Sequence, residues 1–125
     1  MGLAPPRATI FHITSREAWD RACGRGRYEA PSLATSGFIH CSKADQVVRV
    51  ANRIFLGMQG LVLLHIDVEG LSAPVVYENL DGGSELFPHV YGPIEVAAVR
   101  AVTPFEPGDD GRFDQHERYL MGTGP

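Results

Sequence analysis

The sequence predicts an α+β domain in which a split antiparallel or mixed sheet carries two short helices. Three observations lead there. Strand-like and helix-like segments alternate only through the first half, and the second half is a series of strands with little helix between them, an order that regular βαβ winding does not produce. The composition, 44% hydrophobic and 21% charged, is that of an ordinary globular domain. A length of 125 residues suits one domain that buries roughly two thirds of its unfolded surface without disulfide or metal staples. The chain 1–125 is therefore expected to form one domain, with its core over about 9–104 and 105–125 as a tail or edge.

Each element has its own signal. Thr9 to Ile13 (TIFHI) reads as a strand, and Thr14 with Glu17 has the T-x-x-E spacing that caps a helix beginning there. Ala18, Trp19, Ala22 and Cys23 recur at helical spacing, which assigns Trp19 to the core, and Gly24 and Gly26 end the helix. Tyr28 to Gly37 is rich in turn residues and reads as a loop of about ten residues that borders a pocket. Phe38 to Cys41 forms the next strand. Ser42, with Asp45 three residues on, offers a hydroxyl cap to a helix running to about Leu56, and Gly57 stops it. Val47, Val48, Ala51, Ile54 and Phe55 make its apolar stripe, with Gln46, Arg49, Asn52 and Arg53 on the other side.

Leu61 to Asp67 (LVLLHID) is the most apolar run and reads as a central strand. Glu69-Gly70 and Pro74 mark the turn into a strand over Val75 to Glu78, and Asp81-Gly82-Gly83 is a further turn signal. Val96 to Val102 reads as a final strand reached through Gly92-Pro93, with at most a short helix around Gln115 to Met121 beyond it. No internal repeat is present.

Composition also excludes function classes. A formal charge of −4 opposes a polyanionic partner, so nucleic acid binding is disfavoured. Cys23 and Cys41 form no C-x-x-C pair, and buried free thiols are expected at both. The N-terminal residues lack the pattern of a secretory signal, and no segment approaches the roughly 20 apolar residues of a membrane span, which together imply the cytoplasm and no membrane partner. The oligomeric state is left open.

The chemistry concentrates in His12 (FHIT), His40 (FIHCS) and His89 (FPHVYGPI), each at a strand end or turn-rich place beside small, hydroxylated or glycine residues. Imidazole donates, accepts or carries charge near neutral pH, so several converging on one cleft bind hydroxyls, carry phosphate charge or hold a metal. His65, inside the apolar strand, is expected to be a hydrogen-bonded core residue, and His116 a solvated one. Tyr91 and Tyr77 offer rings for stacking on a ligand or for packing beside a turn. Glu78 and Glu85 are read as ordinary exposed carboxylates, and Asp67 and Glu69 as turn residues.

The pair FHIT and GFIHCS, followed by Gln46 and by the HVYGP segment of His89 to Pro93, resembles the small bacterial domain-of-unknown-function family 952 over nearly all of Thr9 to Pro104. More distantly, FHIT resembles the YHGT element of ADP-ribosyltransferase-type domains, and GFIHCS resembles their second strand and the HVHLS segment of RNA 2′-phosphotransferases. The resemblance implies an ADP-ribosylation-like fold, NAD as co-substrate, and His12 on the ribose hydroxyls. It places His40, Ser42 and Gln46, with Gly37 before them, on the nicotinamide or phosphate side, and His89 and Tyr91 enter from the later strand. Two departures stand out: Ile13 replaces the glycine of YHGT, adding a branched side chain where close backbone approach is usual, and His89 stands where a catalytic glutamate is expected.

Three readings follow. The first is an ADP-ribosyl or phosphoryl transferase-like enzyme using His12, His40, His89 and Tyr91, with Gly37, Ser42 and Gln46 binding a small nucleotide-like ligand. The second is a noncatalytic module for a nucleotide or phosphorylated metabolite. The third, a hydrolase with a three-histidine zinc centre, lacks any H-x-H or H-E-x-x-H spacing and ranks below the others, with no metal expected.

Overall fold

A computed structural model describes residues 8–114. The predicted short helix at Gln115 to Met121, and His116, lie outside the described residues. The chain runs β1 (Thr9–Ser15), α1 (Arg16–Arg25), β2 (Arg27–Tyr28), α2 (Pro31–Ser36), β3 (Ile39–His40), α3 (Val47–Ile54), β4 (Leu61–Asp67), β5 (Val75–Glu78), β6 (Phe87–Val90), β7 (Ile94–Glu95) and β8 (Val99–Pro104). Single 3₁₀ turns at Val68–Gly70 and Val96–Ala98 precede β5 and β8. It is an α+β architecture, and among the described residues every strand pairing is antiparallel.

The main sheet has the order β1-β4-β8, and all seven residues of β4 are buried, as its largely apolar sequence leads one to expect, with His65 and Asp67 buried among them. Side chains alternate across it. Ile10, Val62, Leu64 and Ile66 join one apolar cluster with Trp19, while Phe11, Ile13, Leu61 and Leu63 join a second, built with α3, on the other face. A second sheet, β3-β6-β5, is tied to the first by a bridge in which Phe11 and Ser42 exchange two backbone hydrogen bonds of 2.8 Å. The expected split sheet is thus present, with β2-β7 as a third, two-stranded piece.

Several boundaries differ from the sequence reading, each for a local reason. The cap of α1 is Ser15, the last residue of β1, whose Oγ accepts from the Ala18 N–H at 3.1 Å, whereas the Thr14 hydroxyl is engaged with Tyr28. Gly24 lies inside the helix, and Gly26 ends it in the left-handed conformation at φ 81°. Cys23 is exposed, not buried, whereas Cys41 is buried as expected.

The expected loop over Tyr28 to Gly37 instead contains α2, with Pro31 in its first turn and Gly37 at φ 88° closing it, the asymmetry of proline at a helix start and glycine past its end. Ser42 does not cap α3, since its backbone is tied to Phe11, and α3 begins later and stops at Ile54. Gln46 is 1% exposed, not on the solvent side, and Ile54 is 59% exposed although it was assigned to the apolar stripe.

The final strand is broken. β7 pairs with β2, and the chain then crosses to the main sheet through the 3₁₀ turn, where Ala98 packs so closely on Gly70 that a Cβ there would sit 3.1 Å from that of Ala98. The packed chain also runs past Pro104: Phe105 and Phe113 stack at 4.7 Å in the second cluster, and Asn52 bonds both backbone groups of Phe113.

Candidate functional site

Register explains how distant residues meet. In the second sheet His40 lies directly opposite His89, so the two side chains share a face. Phe38 and Tyr91, two residues away on either strand, continue that face. On the other neighbour, Val76 pairs with His89, which places Glu78 diagonally adjacent on the same face. The results are direct contacts. His89 Nδ1 lies 2.8 Å from Glu78 Oε2, and Tyr91 donates its hydroxyl hydrogen to that same oxygen. Phe38 stacks on the His89 ring at 4.1 Å and 18°, and His40 meets His89 edge-on with ring centroids 5.4 Å apart.

A carboxylate oxygen only accepts, so a neutral His89 carries its proton on Nδ1. Among the described residues its Nε2 makes no hydrogen bond, and no sealed side-chain nitrogen or oxygen lacks a partner, so Nε2 keeps some access from outside the protein interior. Tyr91 and His89 together hold the Glu78 carboxyl below its usual range, and the same bond pushes the Tyr91 phenol up. Partial burial, reinforced by His89, lowers His40.

His12 reaches this face from the main sheet. Its Nδ1 lies 2.6 Å from the His40 carbonyl and its Nε2 2.8 Å from the Tyr28 hydroxyl, which in turn lies 3.0 Å from Thr14 Oγ1. The carbonyl fixes the proton on Nδ1, leaving Nε2 to accept from Tyr28. Burial lowers the imidazole to about 4. Both nitrogens are therefore engaged, and ribose binding by His12, implied by the resemblance, would require it to give up one of these bonds.

These groups border a cavity of about 850 Å³, within the range of small-molecule pockets. His12, His40, Ser42 and His89 line it, with Tyr28 and Glu78. Among the described residues Ser42 makes no side-chain hydrogen bond, and its hydroxyl is not sealed. Charge is distributed by element: Arg53 comes from α3, whereas Glu78 and Asp81 come from β5 and the turn after it.

The remaining predicted site residues sit elsewhere. Tyr91 does not line the cavity and instead donates to Glu78 and packs beside Phe38. Gly37 is the left-handed cap of α2 and donates to the Leu33 carbonyl. Gln46 is a buried brace whose amide accepts from Lys43 N–H and donates to the Leu86 carbonyl and to Glu85. Glu85 pairs with Arg49, which with Gln46 lowers its carboxyl to about 2.

Sequence reasoning missed Glu78, although a signal existed: Glu78 and Phe87 are paired across the hairpin that the Asp81-Gly82-Gly83 turn announces. Tyr28 was assigned only to a loop. A three-histidine zinc centre is not assembled, since His12 has no free nitrogen and, among the described residues, no three His, Cys, Asp or Glu side chains are placed to hold a metal.

Fold and site together define a small α+β domain with a histidine-lined cavity at the junction of two antiparallel sheets. The chain belongs to the family described as "Protein of unknown function (DUF952)", whose model matches residues 13–102. It is similar to protein CC0527 from Caulobacter crescentus. The X-ray structure of that protein shares 32% identity at a TM-score of 0.80, covering 90% of this chain and 99% of that one. Its solution NMR structure aligns at 34% identity and a TM-score of 0.74, covering 85% of this chain and 91% of that one. No curated protein matches the sequence. Among the described residues no helix is long and apolar enough to cross a membrane.

Proposed function

We propose that the cavity binds a nucleotide-like ligand of the NAD or ADP-ribose type and acts on it as an ADP-ribosyltransferase-like enzyme. The observation that carries this reading is Glu78. The motif resemblance calls for a carboxylate beside the histidines, position 89 does not supply one, and β5 brings Glu78 to the cavity wall with its second oxygen free of hydrogen bonds. A carboxylate there stabilises the positive charge that develops on a ribosyl carbon as nicotinamide leaves. The division of charge suits the same ligand. Arg53 on the α3 side matches a pyrophosphate, and Glu78 and Asp81 on the other side match a cationic nicotinamide riboside.

The test is a calorimetric titration with NAD, ADP-ribose and a 2′-phosphorylated nucleotide, repeated with His40→Ala. Saturable NAD or ADP-ribose binding that weakens in the variant supports the reading, and no binding of any of the three refutes it.

One observation favours binding without turnover: Ile13, in place of the glycine of the related motif, lines the cavity, where its branched side chain takes space that a glycine would leave open. Nicotinamide release from NAD by the wild-type protein, lost in Glu78→Gln, would exclude this second reading. Binding with no release would establish it.

A further inference from the structure

We propose that Glu78 and His89 form a carboxylate–imidazole pair in which His89 Nε2 is the proton acceptor for an oxygen nucleophile, water or a bound alcohol, entering the cavity. This assignment goes beyond the choice of ligand, because it follows from the geometry of the pair.

Four features converge. The 2.8 Å contact to Glu78 places the imidazole proton on Nδ1, so the lone pair of the neutral ring is on Nε2. Among the described residues Nε2 has no partner and is not sealed, and His89 lines the cavity, so that lone pair is available to the space a ligand would fill. The ring is held in plane by the stacked Phe38 at 4.1 Å, and its backbone is held by strands on both sides. Glu78 is itself oriented by the Tyr91 hydroxyl on the same oxygen. A base needs a fixed tautomer, a fixed direction and a neighbour that stabilises the cation formed on accepting a proton, and this wall provides all three. Tyr91 and Phe38 are positioning residues, Glu78 positions His89 through Oε2 while its other oxygen keeps the charge-stabilising role proposed above, and His89 is the group that meets the nucleophile.

The step balances without a metal or redox partner. The O–H bond of the nucleophile breaks and its proton passes to Nε2, while the oxygen electron pair bonds to an electrophilic carbon. For an NAD-type ligand that carbon is the anomeric one, and nicotinamide leaves with the electron pair of the C–N bond as a neutral molecule. The proton on His89 then passes to solvent. The substrate class is thus one whose carbon–leaving-group bond opens to an oxygen nucleophile.

Two measurements on the full chain test the pair without any substrate, so they are independent of NAD binding. Long-range ¹H–¹⁵N NMR of the wild-type protein is expected to show the neutral His89 ring protonated on Nδ1. A proton on Nε2 would overturn the proposal. Acylation by diethyl pyrocarbonate, followed peptide by peptide, forms an Nε2–carbon bond with loss of monoethyl carbonate. His89 is expected to react faster than His12, whose nitrogens are both engaged. Glu78→Gln retains an oxygen acceptor but removes the charge, so it is expected to slow His89 severalfold while alkylation of exposed Cys23 is unchanged. Equal His89 rates in the two proteins would overturn it.

Discussion

The substitution His12→Asn retains an amide N–H able to reach the His40 carbonyl and removes the titrating ring. Burial lowers the His12 imidazole from an ordinary 6.5 to about 4. Between those values the unfolded chain binds a proton that the folded chain does not, so stability is present above the unfolded value and is lost as pH falls through the window. From about pH 8 to about pH 5 the loss attributable to His12 is about 2 kcal/mol, and it levels at about 3 kcal/mol once both states are protonated. His40, also lowered by burial and by His89, adds a loss of the same sign in wild type and variant alike. The carboxyls of Glu78, Glu85 and Glu95 are all held low, so their contributions fade as pH falls through the ordinary carboxylate value of 4.5 and below it, and at pH 5 that loss has only begun, in wild type and variant alike.

The assay is urea unfolding followed by Trp19 fluorescence at both pH values. The variant starts less stable, because Tyr28 loses its bond to His12 and keeps only Thr14, but its stability should change between the two pH values by about 2 kcal/mol less than that of wild type. Equal changes would refute the account of His12 as a buried neutral imidazole.

Three further outcomes follow from packing. Gly92→Ala should destabilise by about 1–3 kcal/mol in thermal unfolding, since a Cβ there would lie 2.7 Å from that of Ala73, a contact that only backbone movement relieves. Phe113→Ala should cost about 3–5 kcal/mol by urea unfolding, because it removes the ring stacked on fully buried Phe105, whereas a dispensable tail would give almost no change. Iodoacetamide should label Cys23 and spare Cys41 in the native protein, with both labelled in denaturant, because burial seals the Cys41 thiol and pushes its pKa up. Mass mapping of the two peptides reads the result.

Much of the fold was legible in the chain because it depends on local patterns. Leu61 to Asp67, the most apolar run of the chain, reads as a strand covered on both faces, and it is the centre of the main sheet. Trp19 and Ala22, at helical spacing, are buried together. α2 was legible in principle, since Pro31 and Gly37 frame it, but a run of small polar residues reads equally as a turn when nothing marks what it packs against. Capping positions were displaced because Thr14 and Ser42 hold other bonds: the Thr14 hydroxyl faces Tyr28, and the Ser42 backbone pairs with Phe11. Those partners lie far along the chain, where no local spacing reveals them.

The site divides in the same way. The sequence by itself put His12 and His40 on strands and His89 in a turn-rich stretch, each beside small residues, but it assigned no strand to His89, and the shared face of Phe38, His40, His89 and Tyr91 came only from the pairing of β3 with β6. Tertiary structure alone decided which histidine has a free nitrogen. His12 is closed by the His40 carbonyl and Tyr28, while His89 is left open on one side and joined to Glu78 on the other. The physical reason is register. Alternation says which side chains share a face of one strand, but only the pairing between strands says which of them touch, and a slip of one residue would have turned Glu78 away from His89.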